Sequence, residues 1–330
     1  MLRYTLKRVF QAGFTLLGIT FITFLLMELM PGDPISVIVQ NQDVSQEVIA
    51  NLRAKYGLNR PLHERYLSYL GGLLQGDLGY SFRRQAPVVE VIKPRLAPTL
   101  MLVLSSFTFA LVTSIPLGVL AGAKRNELPD HVSRLVSLVG ISTPEFWVAI
   151  MAVLLFSVHF NVLPASSLVY PWRSPDFYGY RSQMQLYIET VRHLLLPVLA
   201  LGTAQMATLM RVERSSMVET LQEEYVQLAR VYGIPERRIL RKHAFRPAQL
   251  PIITLVGLNL SSALAGAVVI EQIFQINGMG TLFLDAVQSL DYQLVMGITV
   301  ILATIFVLGV IVTDLAYAYV DPRISYGGES

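Results

Sequence analysis

The side chains able to do chemistry are few and far apart. The five histidines, His63, His131, His159, His193 and His243, share no ligand spacing, and no His-Glu-x-x-His pair is present to hold zinc. The absence of cysteine excludes disulfides, thiolate metal sites and a cysteine nucleophile. No Gly-x-x-x-x-Gly-Lys-Ser/Thr loop is present to cradle nucleotide phosphates. The 11 methionines are spread along the chain and form no metal track. What remains are acids inside or at the ends of apolar runs: Glu28, Glu145, Glu271 and Asp314. Charges in such places are costly and often functional. Glu28 and Glu271 fit either a cationic entrance or a plain interfacial site. Asp314 fits an interfacial position, a cation pair or an ion-coupling acid. Glu145, just after Pro144, fits the cap of a broken helix, and His159 fits an interfacial histidine. None of this assembles into a catalytic centre or a metal site, so the expectation is a chain that is not an enzyme.

The elements that would position these residues are apolar helices. Of 330 residues, 53% are hydrophobic and 15% charged, with mean hydropathy +0.51. Soluble domains carry about 25% charged residues, so the composition points to an all-α, multi-span membrane protein. A span needs about 20 apolar residues. Six segments qualify: Val9–Met30, Leu96–Ala123, Leu135–Val158, Leu194–Met210, Pro247–Ile270 and Tyr292–Thr313. In the fourth, Gln205 and Thr208 suggest a protein-facing side. The first run ends Met27-Glu28-Leu29-Met30-Pro31 without a small-residue cleavage site, which reads as an uncleaved span rather than a signal peptide.

Six spans put both termini on one side. The N-terminus, the 124–134 and 211–246 loops and the C-terminus together hold 15 of the 26 Lys and Arg, whereas the 271–291 loop has none. By the positive-inside rule the former are cytoplasmic. The net charge of +3 and pI of 9.0 then reflect this loop bias and not nucleic-acid binding. The chain divides into residues 1–30 with the first span, an outer helical segment 31–95, and a core 96–330. In the outer segment, Pro31-Gly32-Asp33-Pro34 is a turn and 45–56 reads as an amphipathic helix. A second helix starts at Pro61, with Leu62, Tyr66, Tyr69, Leu70 and Leu73 on one stripe. Gly76-Asp77-Leu78-Gly79 ends it, so a small helical cap is expected over the outer face. The 159–193 segment, with Pro164, Pro171 and Pro175, reads as irregular.

The 211–246 loop is the informative one. Tyr225, Leu228, Ala229 and Tyr232 fall on one face at helical spacing, Gly233 stops the helix, and Pro235 follows. Arg237, Arg238, Arg241 and Lys242 then form a basic cluster. A short surface helix over 219–233 is expected. It could lie on lipid headgroups or seat its apolar face in a groove on a partner protein.

The stretch from Glu224 to Gly233, with Arg237 to Arg246 behind it, resembles the cytoplasmic coupling loop of ABC importer permeases, more narrowly those for dipeptides, oligopeptides, glutathione and nickel. Further matches run nearly the whole chain: Pro31-Gly32-Asp33-Pro34, Tyr56 to Leu62, Gly76 to Gly79 with Ser81, Ile115 to Ala121, Pro144-Glu145-Phe146-Trp147, Leu163 to Ser166, and Val320 to Ile324. Of the family-wide Glu-Ala-Ala…Gly motif, at Gln227, Leu228, Ala229 and Gly233, only Ala229 and Gly233 survive, a departure usual in the peptide and nickel subfamily. The later Ile-x-Leu-Pro element is replaced by His243-Ala244-Phe245-Arg246. After the fifth run, Phe274 to Gly280 keeps the glycines of the family pattern and lacks its Trp-Pro.

The resemblance implies a type I importer permease fold and transport by alternating access. It implies a second permease subunit, two cytoplasmic ATPases carrying ATP and Mg, an extracytoplasmic binding protein and the bacterial or archaeal inner membrane. No cofactor would be bound by this chain. Coupling to the ATPases would fall on Glu224, Tyr225, Gln227, Leu228, Ala229, Arg230 and Gly233. From residue type alone, Thr108, Ser114, Asn259, Ser261 and Ser262 are candidates for a translocation path, or for ordinary interhelical contacts. Gly257, Gly266, Gly297 and Gly309 are expected to allow close packing. The expected cargo is a di- or oligopeptide. The alternatives are nickel, glutathione or another small solute on the same machinery, export, or an ATP-independent transporter using Asp314, Glu28 or Glu271.

Overall fold

The computed structural model describes residues 2–29, 59–81 and 83–320, with side chains described from Arg8 to Ala316 apart from 260–262 and 265 within that set. The expected helix over 45–56, the turn from Pro31 and the closing Val320 to Ile324 motif lie wholly or largely outside these residues. Helix α1 spans Leu2–Leu29 and α2 spans Leu62–Leu74. Two-residue strands β1 (Tyr80–Ser81) and β2 (Ala86–Pro87) pair antiparallel, Tyr80 opposite Pro87 and Ser81 opposite Ala86. Then come α3 (Val88–Ala123), α4 (Leu128–Ser142) and α5 (Glu145–Ala152), the last running into a π-helical segment, Val153–His159. A 3-10 turn at Pro175–Tyr178 precedes α6 (Gln183–Gln222) and α7 (Glu224–Val231). Short α8 (Glu236–Arg238) leads through π-helical Ile239–Ala244 into α9 (Phe245–Ile273). Helices α10 (Met279–Gln288) and α11 (Tyr292–Val320) are the last described elements.

Among the described residues four helical stretches are long and apolar enough to cross a membrane: 8–29, 88–123, 183–222 and 292–316. The pair α4 and α5 with its π-helical extension makes a fifth if counted together, bent by 100° at the break. The apolar run Leu135–Val158 is therefore not one straight helix. Proline disfavours helical backbone at the residue before it, and Thr143 is accordingly extended (φ −94°, ψ 121°) while Pro144 caps α5. The run Pro247–Ile270 lies within the 29-residue α9.

Other boundaries differ for one reason: helices continue where hydropathy fades. Helix α3 begins at Val88, ahead of the apolar run. Helix α6 is 40 residues long, so it spans about 60 Å, roughly twice the hydrocarbon core. Much of the segment expected as loop from Arg211 onward is thus the end of this helix. The 271–291 segment, expected as plain loop, carries α10, which buries Met279, Leu282 and Ala286.

The chain forms two compact units, one of residues 1–5, 98–276 and 309–330, the other of 6–97 and 277–308. In the second, Leu78, Val88, Ile92, Leu282, Leu294 and Ile298 form the core. There the amphipathic stripe of α2 meets α1: Tyr66 packs edge-on to Phe21 and tilted against Phe24, both at 5.4 Å, and Tyr69 stacks on Phe24. Arg65 pairs with Glu28 at 2.6 Å, which gives that acid a protein partner. In the β1–β2 hairpin the buried Ser81 hydroxyl donates to Asp291, whose other oxygen accepts Leu294 N–H at 3.3 Å at the start of α11. In the first unit the core centres on Leu102, Phe107, Leu196, Leu201, Ile270 and Phe274. A separate cluster of Met217, Leu221, Val226, Ala229, Ile239, Ala244 and Ala248 underlies the loop considered next.

Candidate functional site

Helix α6 stops because Glu223 is extended (φ −62°, ψ 145°), and its carbonyl accepts the Val226 and Gln227 N–H groups that begin α7. The Leu221 carbonyl, left without a helical partner at the end of α6, accepts Gln227 Nε2 at 3.2 Å and Arg230 Nη1 at 3.4 Å. Arg230 reaches on to Glu236, with Nη2 to Oε1 at 2.7 Å and Nε to Oε2 at 3.2 Å. The guanidinium holds the Glu236 carboxyl below its ordinary range. Gly233 sits at φ +74°, the left-handed position that ends many helices. Beyond it, Ile234 N–H returns to the Ala229 carbonyl at 3.1 Å. Pro235 then opens α8.

This geometry corrects the expected helix in two ways. Residues 219–222 belong to α6, so the separate helix is Glu224–Val231 and not 219–233. The expected apolar face is also two faces. Val226 and Ala229 turn inward onto Met217, Leu221, Ile239, Ala244 and Ala248. Tyr225, Leu228 and Tyr232 face outward, at 45%, 54% and 77% exposure, together with Val231. Tyr225 is tethered by its hydroxyl, which donates to the His243 carbonyl at 3.3 Å; partial burial, then the Glu223 charge, push its phenol up. Glu224 is exposed, as are Arg237, Arg238, Arg241, Lys242 and Arg246 along the return. The structure thus gathers the seven coupling candidates on one short segment hooked to the end of a 40-residue helix, with an apolar surface left outside.

Among the described residues, no hydrogen bond joins the translocation-path candidates Thr108, Ser114 and Asn259 to one another. Thr108 is exposed and donates to the Leu104 carbonyl of its own helix at 2.7 Å. Ser114 is fully buried with its hydroxyl unpartnered, and the Asn259 amide nitrogen is also buried without a partner. The side chains of Ser261 and Ser262 lie outside the described residues. Gln205, expected to face protein, is 6% exposed with both amide atoms unpartnered. Glu271 is fully buried and accepts the Thr99 hydroxyl at 2.5 Å. Glu145 stands in the first turn of α5 without capping it, packed over Gly266, where an added Cβ would clash with its Oε2. Asp314 is half-buried in α11.

Sequence reasoning missed the most elaborate polar site. Asp130 is fully buried and accepts two hydrogen bonds each from Arg134 and Arg214 and one from the Asn126 backbone. Glu213 is also fully buried, with Oε1 accepting Gln249 Nε2 at 2.8 Å and Oε2 unpartnered. Local pattern offers only Arg134, four residues from Asp130 on the same helix; Arg214 and Gln249 reach the two acids from positions distant in sequence.

Residues 114–326, which include this loop, match the family described as binding-protein-dependent transport system inner membrane component. Residues 1–103 match the N-terminal family of such membrane components. The chain is 37% identical over 337 residues to the dipeptide transport system permease protein DppB of Escherichia coli (strain K12), covering 99% of each. It is 38% identical over 327 residues to the oligopeptide transport system permease protein AppB of Bacillus subtilis (strain 168), covering 99% of this chain and 100% of that one. A dipeptide transport system permease protein from Alkalihalophilus pseudofirmus is 36% identical over 339 residues, again over 99% and 100% of the two chains. With family matches that take in most of the sequence and relatives alike from end to end, this chain belongs to the inner membrane components of binding-protein-dependent transport systems.

Proposed function

We propose that this chain is one of two permease subunits of an ATP-driven importer of di- or oligopeptides, moving cargo across the inner membrane by alternating access. The observation that carries the reading is the division of α7 into an inner face, Val226 and Ala229, and an outer apolar face, Tyr225, Leu228 and Tyr232. A helix pinned to its own chain on one side and apolar on the other suits a groove on a cytoplasmic ATPase. The names of the relatives support the peptide cargo.

In this reading there are six spans. The bent pair α4 and α5 is the third, α9 the fifth, and α2 with the β1–β2 hairpin contributes to an outer cap. Both termini and the 211–246 loop are cytoplasmic. A second, homologous permease lies alongside in lipid, two ATPases bind and hydrolyse ATP with Mg, and a binding protein delivers the peptide from outside. ATPase closure would push α7, and α6 would carry the displacement into the membrane. Glu224, Gln227, Arg230 and Gly233 hold α7 in register while Tyr225 and Leu228 make the contact. Thr108, Ser114, Asn259, Ser261 and Ser262 remain candidates for the path.

The test is uptake of labelled dialanine and a labelled tripeptide mixture into vesicles holding the co-purified complex. ATP-dependent uptake that vanadate stops, and that Leu228→Glu abolishes while the complex still assembles, is the expected result. Uptake indifferent to ATP and vanadate would overturn the reading in favour of an ion-coupled transporter.

A further inference from the structure

We infer that Asp130 is a positioning residue of the coupling machinery: it binds α4 to α6 so that the two helices move as one body with α7. The inference rests on the reading of α7 as the ATPase contact.

The Asp130 carboxylate is saturated. Oδ1 accepts Arg214 Nε at 2.8 Å and Arg134 Nε at 3.0 Å. Oδ2 accepts Arg134 Nη2 at 2.5 Å, Arg214 Nη2 at 3.0 Å and the Asn126 N–H at 2.9 Å. Five donors meet about four lone-pair sites. Three pieces of chain are thereby tied at one point: α6 through Arg214, α4 through Arg134, and the turn at Asn126 (φ +65°) that joins α3 to α4. The contact between α4 and α6 recurs further along, where an added Cβ on Gly140 would lie 2.6 Å from Ala207 Cβ. Pairing of 130 with 214 and of 140 with 207 means the helices run antiparallel, in contact over roughly 10–15 Å.

The same stretch of α6 is pressed against α3. A Cβ at Gly118 would meet Glu213 Cβ at 2.6 Å and the Met210 carbonyl at 3.0 Å; one at Gly122 would meet Met217 Cβ at 2.5 Å. Met217 and Leu221, one to two turns on, form the floor under Val226 and Ala229 of α7. The end of α3, the turn, α4, the second half of α6 and α7 are therefore one contiguous block. At the 100° break before Pro144 the chain passes from α4 to α5, whose Ala149 shares a core with Leu196 and Leu201 in the first half of α6. A displacement entering at α7 cannot be absorbed between α4 and α6 without breaking the Asp130 cluster, so it is passed along α6 and to that break.

An ion cluster suits this role better than an apolar contact. Buried ion pairs add little net stability over apolar packing, but removing one partner is strongly unfavourable, which fixes register. Leucines could slide past one another by a fraction of a turn; Asp130 cannot leave Arg214 part-way.

The absence of native cysteine makes spin-label distance measurement direct. In the intact transporter complex, labels at Val132→Cys on α4 and Arg211→Cys on α6 report the clamp, and labels at Phe146→Cys on α5 and Arg211→Cys report the far side of the break. Between the nucleotide-free and vanadate-trapped states, the first distance should stay constant and the second should shift. A change in the first of more than about 2 Å, the scale of helix shifts at moving interfaces, would overturn the inference. Asp130→Asn should broaden the Val132–Arg211 distribution and lower uptake per ATP hydrolysed; an unchanged distribution and ratio would overturn it as well. If that variant fails to fold, the Val132–Arg211 distance in the chain that keeps Asp130 still decides the matter: constancy between the two states supports the clamp, and a change overturns it. If neither distance responds to vanadate trapping, α5 moves with α4 and α6 and this inference falls; the ATPase-contact reading is decided separately, by the effect of Leu228→Glu on ATP-driven uptake.

Discussion

Asp130 and Arg214, 84 residues apart in the chain, share a two-point hydrogen bond in which the carboxylate is wholly buried and the guanidinium side chain is 18% exposed. Arg214 keeps some access to water, and Arg134 on the same carboxylate is half-exposed. Asp130→Ala should therefore cost about 1–3 kcal/mol, the scale of hydrogen bonds to a charged group. Thermal unfolding of the detergent-solubilised complex would register the loss. Replacing both residues with leucine should recover much of the stability, since a buried pair exchanged for apolar side chains is often near neutral. Stability that falls as far in the double variant as in Asp130→Ala would contradict this account.

The two faces of α7 should respond oppositely to charge. Leu228 is 54% exposed and absent from the core, so Leu228→Glu should leave stability within about 0.5 kcal/mol while ending ATP-driven uptake. Ala229 is 7% exposed within the cluster of Met217 and Ile239, so Ala229→Glu should lower the melting temperature and expose 224–244 to protease. Equal effects of the two substitutions on stability would show that α7 is not held in this orientation.

Gly233 has open space around an added Cβ, so its constraint is the backbone angle and not crowding. At φ +74° a non-glycine residue costs roughly 1–2 kcal/mol. Gly233→Val should destabilise the loop by that amount, and Gly233→Asn, which tolerates left-handed backbone, by clearly less. Limited proteolysis between Arg230 and Arg238 would rank the two variants.

The Arg230–Glu236 pair links α7 to α8, and Arg230 lowers the Glu236 pKa relative to an unfolded chain. A depressed carboxyl pKa adds stability above its unfolded value and loses it as pH falls through the folded one. The pair is exposed and screened, so the contribution is at most about 1 kcal/mol. Glu236→Gln should speed hydrogen exchange across 224–238 by up to about fivefold at pH 7. Well below pH 4 the difference from the parent should vanish, as the carboxyl is then protonated in both states. A difference that persists undiminished at pH 3 would exclude the ion pair as its cause.

The sequence by itself determined the membrane character, through long runs with almost no charge. It determined the start of α2 at Pro61, the stop at Gly233, and a short amphipathic helix between two basic stretches. These are local matters: a proline or glycine acts on its own backbone, and helical spacing is written within a dozen residues. Tertiary structure decided which half of the α7 apolar surface is used internally. Periodicity cannot tell a side chain packed on its own protein, such as Ala229, from one kept for a partner, such as Leu228. It decided how far α6 extends past the last apolar turn, since packing and not hydropathy sustains a helix there. It also decided that α10 forms in a segment short enough to pass for a loop. Above all it brought Asp130 to Arg214. A charge pair across 84 residues has no local signature, and only the antiparallel packing of α4 on α6, made close by Gly140, puts the two groups within bonding distance.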